Sequence, residues 1–222
     1  MIHRQVNPSG ENQDLLKTRP QGGFSFARLR MQRTFQHDRG METSDALFPA
    51  LLKNAWHDLP GPVRSMHGSA PRILARGKAD VEGDGNAVVR ALRCLLKLPS
   101  PGPEQTLEVC IERRGNHETW TRRFAHGRMQ STLRHDASAT HLLEQLGPVT
   151  LRFTLCPDAH GIAWHLNGAR MLGMPLPRRW LGTVLSHSGE HNGRYAFTID
   201  TRLPWIGRLV AYRGWLEIST DD

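Results

Sequence analysis

The last third of the chain alternates apolar and polar residues with a period of two. Four such runs lie between residues 147 and 218, at 149–156, 162–167, 195–200 and 208–218. This alternation is typical of β-strands that have one buried and one solvated face. Links such as 157–161 are short and rich in turn-forming residues, which predicts antiparallel pairing because parallel strands need long crossover connections.

The first half of the chain mixes helical and strand patterns. Apolar residues at helical spacing predict helices over 45–57 and 86–98, and each of these stretches is followed by prolines that would end a helix. Alternation over 107–112 predicts a strand, and residues 139–146 are predicted to form a short helix. Because both halves of the chain combine helices with antiparallel strands, the predicted fold class is α+β.

These elements predict one domain and one extension. Residues 43–222 are expected to form a single α+β domain. In it a curved, mainly antiparallel sheet of seven to nine strands packs around helices 45–57 and 86–98, as an open barrel or a helix-grip-like arrangement. Residues 1–40 hold seven Lys or Arg and three Asp or Glu, a surplus of four that is half of the net charge of +8. Residues 1–42 are therefore expected to be a basic, disordered N-terminal extension.

Composition argues against several classes of protein. The three cysteines, Cys94, Cys110 and Cys156, form no C-x-x-C pair, which argues against a zinc site or a disulfide framework and favours a cytoplasmic location. The chain has no run of 18 apolar residues, so no membrane span is expected. Residues 41–222 are only mildly basic, so no specific nucleic-acid partner is expected.

Two motif matches are interpreted as accidental. The string G-D-G-N-A-V at residues 83–88 resembles a dinucleotide-binding loop, but a valine occupies the third glycine position and no parallel β–α units follow. His187, Glu190 and His191 spell H-x-x-E-H, which binds zinc only when both histidines lie on one face of a helix. The Ser-Gly and Asn-Gly pairs around Glu190 instead predict the tip of a hairpin. Neither a metal nor a cofactor is expected.

Charged residues placed within aromatic strands are the best candidates for a site. Arg122 shares a strand face with Trp120, Arg213 shares one with Trp215, and Asp200 lies in the preceding strand. A charge on an inward face is costly to bury unpaired, so it would pair with another charge or contact a polar group of a ligand. The alternative is an exposed face on which arginine stems lie over aromatic rings.

Several strings in the chain resemble one family. They are G-P-V-T-L-R-F from residue 147, G-M-P-L-P-R from 173, L-P-W-I-G from 203 and Y-R-G-W-L from 212. Roughly residues 47–218 are similar to an uncharacterised bacterial family catalogued as domain of unknown function 4166. The resemblance implies no established activity and no catalytic residue. Members of this kind can be appended to dehydrogenase-like domains, so the resemblance implies at most an accessory or binding unit.

The leading functional hypothesis is a non-catalytic binding module for an apolar or amphipathic small molecule. Shapes of this kind place binding sites in the mouth of the sheet. Trp120, Trp164 and Trp215 would supply apolar stacking area, and Arg122 and Arg213 would hold a carboxylate or phosphate head group.

Two alternatives stay open. The first is an enzyme acting on such a ligand in the same cavity, with Asp200 or a histidine as the acid–base group. The second is a protein-interaction domain, accessory to an oxidoreductase, that uses the P-L-P loop at 175–177 and an exposed sheet edge. The Y-R-G-W-L strand puts Arg213 and Trp215 on one side and is expected to leave a hole at Gly214 on the other.

Overall fold

Short helices and long strands make up the part of the chain that the structure describes. The computed structural model describes residues 46–136, 138 and 140–219, so the extension predicted for residues 1–42 lies outside the described residues. The helices are α1 (Leu47–Leu52), α2 (Gly61–His67), α3 (Ala87–Leu95) and α4 (Arg178–Leu181), and a single 3-10 turn spans Lys53–Trp56. None of the described helices is long and apolar enough to cross a membrane.

The strands occupy most of the remaining residues. They are β1 (Arg72–Glu82), β2 (Gly102–Arg114), β3 (His117–Phe124), β4 (Gly127–His135), β5 (Leu142–Leu146), β6 (Val149–Asp158), β7 (Gly161–Met171), β8 (Met174–Pro175), β9 (Thr183–His191), β10 (Arg194–Leu203) and β11 (Gly207–Ser219).

Ten of these strands close into an antiparallel barrel. Their order is β6–β5–β4–β3–β2–β1–β11–β10–β9–β7, and β7 pairs back with β6 to complete the ring. The two-residue strand β8 is a short addition beside β7. Most neighbouring strands are consecutive along the chain, with α3 inserted between β1 and β2, and the exceptions are the pairs β1–β11 and β7–β9. The expected antiparallel, barrel-like sheet is thus confirmed in its coarse form, but the ring is closed where an open barrel or a helix-grip-like sheet was expected.

Helices have a smaller role than the sequence predicted. The first predicted helix is divided into α1 and the 3-10 turn, and the sheet does not wrap around α3, which packs against β11. Helices α1 and α2 instead cover one end of the barrel, where Phe48, Met66 and His67 are fully buried. The Phe48 ring lies 6.5 Å from the Trp120 ring and 5.6 Å from the Trp164 ring, so α1 contributes directly to the barrel core.

Two local predictions are wrong. Residues 139–146 were expected to form a helix, but Leu142–Leu146 is strand β5, because its even-numbered residues face inward between β4 and β6. The H-x-x-E-H residues were expected at a hairpin tip, but they lie within β9, and the turn follows at Asn192–Gly193. Side chains alternate along a strand, so Glu190 lies on the opposite face from His187 and His191.

Two glycines allow the first and last strands of the barrel to approach closely. A Cβ atom on Gly77 would overlap the Trp215 carbonyl oxygen, and one on Gly214 would overlap the Lys78 carbonyl oxygen. Gly214 therefore leaves no hole inside the barrel, since the backbone of β1 fills that space. The close approach explains why these two positions of the β1–β11 pair have no side chain.

We expect Gly214→Ala to lower the free energy of unfolding by about 2 kcal/mol or more, because the added methyl would force the two backbones apart. Gly168→Ala in β7 is the matched control. Its Cβ would meet nothing within 4 Å, so a change within about 1 kcal/mol is expected. Urea unfolding of both variants checks this, and equal stabilities would contradict the close-approach account.

Candidate functional site

The barrel encloses a cavity of about 110 Å³ that is closed at one end and reaches the surface at the other. At the end covered by α2, its lining residues are buried, among them Met66, Trp120, Trp164 and Leu216. At the opposite end the lining residues are partly exposed, and they include Leu98, Leu146, Leu151, Val184 and Thr201. We call this second end the open end of the barrel.

Arg122 is the charged centre of the cavity wall. Its side chain extends from β3, donates a hydrogen bond to the Ser131 hydroxyl at 2.9 Å and pairs with Glu144 at 3.5 Å. The guanidinium also lies 5.0 Å from the centre of the Trp120 ring. Arg122 is only 9% exposed, so the desolvation of its charge is offset by one hydroxyl, one long ion pair and one aromatic face.

A chain of hydrogen bonds runs from His67 to the cavity wall. His67 Nε2 lies 3.2 Å from the Tyr195 hydroxyl, which donates to Ser188 Oγ at 2.9 Å. Because that hydroxyl hydrogen is directed at Ser188, His67 Nε2 donates to the tyrosine oxygen and Nδ1 carries no hydrogen. Burial, with Arg113 and Arg122 nearby, holds the pKa of His67 well below its ordinary value, so the ring is neutral.

The two cavity tyrosines stay protonated. Burial raises the pKa of Tyr195 to about 12 and also raises the pKa of Tyr212, although the charge of Arg122 opposes both shifts. Both hydroxyls are therefore neutral near pH 7. The indole Nε1 of Trp164 is a further buried donor, and it has no hydrogen-bond partner among the described residues. Unpaired buried donors are uncommon, so this nitrogen calls for a partner.

A buried ion pair fixes the end of α2 against the barrel. Arg113 Nε donates to Glu118 Oε1 at 3.0 Å, and both side chains are at most 5% exposed. The other guanidinium nitrogens donate to the carbonyl oxygens of Ala70 and Met66, while Trp120 Nε1 donates to the second oxygen of Glu118 at 2.8 Å. Burial raises the pKa of Glu118, and Arg113 and Trp120 oppose that shift. The cluster positions both α2 and the Trp120 ring.

The predicted site residues lie partly in the cavity and partly on the outer face of the barrel. Trp120, Arg122 and Trp164 line the cavity. Arg213 and Asp200 are on the outer face of the barrel, because Tyr212 and Ile199, their neighbours in β11 and β10, point inward.

The predicted site residues on the outer face have partners at the protein surface. Asp200 pairs with Arg202 and Arg208. Arg213 is largely exposed and lies 3.8 Å from Glu82. Trp215 is also on the outer face, where the Arg194 guanidinium lies 4.2 Å from its ring centre. The exposed-face alternative therefore describes these three residues.

Sequence reasoning missed the polar partners within the cavity. The sequence predicts a helix over 139–146, so it does not place Glu144 on a face of a strand. Ser188 lies within the H-x-x-E-H string and was expected at a hairpin tip. The alternation at 195–200 predicts Tyr195 only as an apolar inward position, and it gives no partner for the hydroxyl. The sequence gives no signal for Ser188, because Ser186 and Ser188 face inward while the apolar Leu185 is exposed, the reverse of the usual alternation.

A family model described as a domain of unknown function, DUF4166, matches residues 59–216. The chain belongs to the DUF4166 family. No curated protein and no solved structure matches the chain. The DUF4166 match includes every residue that lines the cavity, from Met66 to Leu216, and it begins after α1. The cavity is therefore part of the DUF4166 domain itself.

Glu118→Gln is expected to destabilise the DUF4166 domain by about 3 kcal/mol or more, because it leaves the buried Arg113 charge without its counter-ion. Glu108→Gln is the control, since Glu108 pairs with Arg76 and Arg123 at the surface and should contribute about 1 kcal/mol or less. Chemical unfolding of the two variants measures the difference. Similar losses in both would show that the buried pair has no special role.

The neutral state of His67 predicts a dependence of stability on pH. The unfolded chain binds a proton near the ordinary pKa of 6.5, and the folded chain does not. The free energy of unfolding should therefore be unaffected by this group above about pH 6.5 and fall as the pH decreases below it. His67→Gln should reduce that slope, while His160→Gln at an exposed turn should retain it. Urea titrations at several pH values test this, and an unchanged slope in His67→Gln would contradict it.

Proposed function

We propose that the barrel binds a small apolar or amphipathic molecule in its interior, with an acidic group of the ligand at Arg122. The observation that supports this most is the cavity wall itself. It is apolar over most of its surface, and it carries one buried arginine whose only protein hydrogen-bond and ion-pair partners among the described residues are Ser131 and Glu144. Apolar pockets with a few converging polar groups are typical of small-molecule sites.

The size of the cavity limits what it holds. Its volume of about 110 Å³ is smaller than the roughly 150 Å³ of an engineered cavity that accepts benzene. A compact group fits within the closed barrel, and a longer apolar chain would extend through the open end past Leu98 and Val184. This favours a short amphipathic molecule over one with two long chains.

The polar groups favour an acid as the ligand head group. Arg122 supplies the charged donors of the cavity wall. The Glu144 carboxylate is held at 3.5 Å, a long distance for an ion pair with arginine, so it is a loose partner that a ligand carboxylate would replace. Arginine binds carboxylates with two parallel hydrogen bonds, which gives both affinity and orientation.

The two alternatives have less support. The enzyme was expected to use Asp200 or a histidine, but Asp200 is on the outer face, and His67 does not line the cavity and is hydrogen-bonded to Tyr195. The carboxylate that does line the cavity, Glu144, is paired with Arg122. A protein-interaction domain was expected to use an exposed sheet edge, whereas pairing around the ring occupies both sides of each of the ten described barrel strands.

Titration with sodium hexanoate, followed through the indole N–H signals in nuclear magnetic resonance spectra, tests the proposal. We expect the signals of Trp120 and Trp164 to shift and that of Trp205 to stay unchanged. Arg122→Gln should weaken hexanoate binding about tenfold or more, because a charge-assisted hydrogen bond is lost. Arg213→Gln, on the outer face, is the matched control and should bind as the wild type does.

Two further measurements separate loss of binding from loss of folding. The double variant Arg122→Gln with Glu144→Gln removes both charges, so it should fold, bind 1-hexanol as the wild type does and fail to bind hexanoate tightly. Glu144→Gln alone should strengthen hexanoate binding, because the competing carboxylate is gone. Equal affinities in the Arg122 and Arg213 variants, or no shift of the two cavity indoles, would overturn the proposal.

A further inference from the structure

Four large apolar side chains are exposed around one side of the open end. Leu172 is 75% exposed, Met174 65%, Trp180 53% and Trp205 85%. We call these four residues the apolar rim. Single exposed apolar residues are common on proteins, but several on adjoining turns need an explanation.

The rim residues lie on neighbouring segments of one edge of the barrel. Leu172 is in the turn between β7 and β8, and α4 follows β8 directly. At the end of α4, Gly182 packs so closely on β10 that a Cβ atom there would overlap the Arg202 carbonyl oxygen. Strand β10 then leads into the turn that carries Trp205. The rim residues therefore lie on turns of adjoining strands, from the β7–β8 turn to the β10–β11 turn.

Two rim residues are held in an unfavourable backbone conformation. Leu172 has φ 51° and Trp205 has φ 60°, in the left-handed region that favours glycine and asparagine. Such a conformation is sterically unfavourable for a residue that has a Cβ atom. Asparagine would suit both turns better, so folding alone gives no reason for an exposed leucine and an exposed tryptophan there.

The charge around the rim is positive. Arg170, Arg178 and Arg179 are exposed, and no ion pair joins them to an acidic side chain in the described ranges. The sequence contains no Asp or Glu between Asp158 and Glu190.

The acidic groups on the Trp205 side are already engaged. Asp84 accepts a hydrogen bond from the backbone N–H of Arg208, and Asp200 pairs with Arg202 and Arg208. The rim therefore presents apolar groups beside cations that have no counter-ion among the residues that the structure describes.

We propose that the apolar rim docks on the surface of an anionic lipid bilayer. The two tryptophans, the leucine and the methionine of the rim would enter the boundary between head groups and acyl chains, and the three arginines would bind lipid phosphates. Separate turn tips flanked by arginines fit a head-group layer better than the charge-depleted core of a protein interface does. This inference goes beyond the proposed ligand and does not depend on it, although docking would place the open end of the cavity against the bilayer.

Co-sedimentation of the full chain with vesicles tests the docking. Vesicles of phosphatidylcholine with phosphatidylglycerol should bind the protein, and vesicles of phosphatidylcholine alone should bind it weakly. The double variant Leu172→Asn with Trp205→Asn should bind the anionic vesicles about tenfold less tightly or worse, because apolar burial is lost. Asparagine is favoured at positive φ, so this variant should be at least as stable as the wild type to urea, and its loss of binding would not reflect unfolding.

A pair of charge variants supplies the matched comparison. Arg178→Gln with Arg179→Gln should weaken binding about 25-fold, since each basic residue near an anionic surface contributes about fivefold. Arg64→Gln with Arg114→Gln removes the same charge from exposed positions at the end covered by α2 and should change binding about twofold or less. The basic residues of 1–40 are present in the wild type and in every variant. Their contribution to vesicle binding therefore cancels when the affinity of a variant is divided by that of the wild type.

The outcomes separate this inference from the ligand proposal. Arg122→Gln should bind vesicles as the wild type does, and the Leu172→Asn and Trp205→Asn double variant should bind hexanoate normally without vesicles. Absence of binding to the anionic vesicles would overturn the docking proposal, as would equal losses in the two arginine pairs. The protein could instead fail to bind vesicles and self-associate in a way that Trp205→Asn abolishes. That result would show that the rim binds a second copy of the chain.

Discussion

The ion pair between Arg113 and Glu118 is the interaction on which the interior of this protein depends. One guanidinium satisfies a buried carboxylate and two backbone carbonyl oxygens beyond the barrel wall. The same carboxylate orients the Trp120 ring, and that ring stacks on the neutral His67 ring at 5.4 Å. Removing either charge would leave the other without a counter-ion in an apolar environment. This single pair of side chains therefore stabilises the closed end of the barrel, together with α2 and the adjoining part of the cavity wall.

The cavity is arranged so that polar groups are concentrated in one part of an apolar wall. Arg122, Ser131 and Glu144 come from three neighbouring strands, and Tyr195 and Ser188 come from two others. In each strand the alternation of side chains places these groups inside, between aromatic and aliphatic neighbours. Because the barrel is closed, no strand has to expose backbone groups to the cavity, so its polarity comes from side chains alone. This gives the wall few hydrogen-bonding groups in fixed positions, which is the property a selective small-molecule site needs.

The sequence predicted the strands well where alternation was clear and failed where it was short. The runs at 149–156, 195–200 and 208–218 are strands, and Trp120, Arg122 and Trp164 lie inside as an inward face would require. Leu142–Leu146 has only five residues, too few to distinguish a period of two from a helical spacing. Closure of the ring could not be predicted from local patterns, because it depends on the pairing of β1 with β11 and of β7 with β6. For the same reason, the sequence could not tell that Arg122 faces the cavity and Arg213 the solvent.

The pairing of β1 with β11 has a consequence for how the chain folds. Arg76 and Glu217 are partners in this pair, so the two edges that meet are the first and last strands described along the chain. Until β11 has been synthesised, β1 presents an unpaired edge on one side, and a barrel with such distant contacts is expected to fold slowly. An unpaired edge is also a template for pairing with another molecule. The incomplete nascent chain, more than the finished protein, is therefore the state in which this barrel is vulnerable to aggregation, and protection during synthesis would matter most just before its final strand emerges.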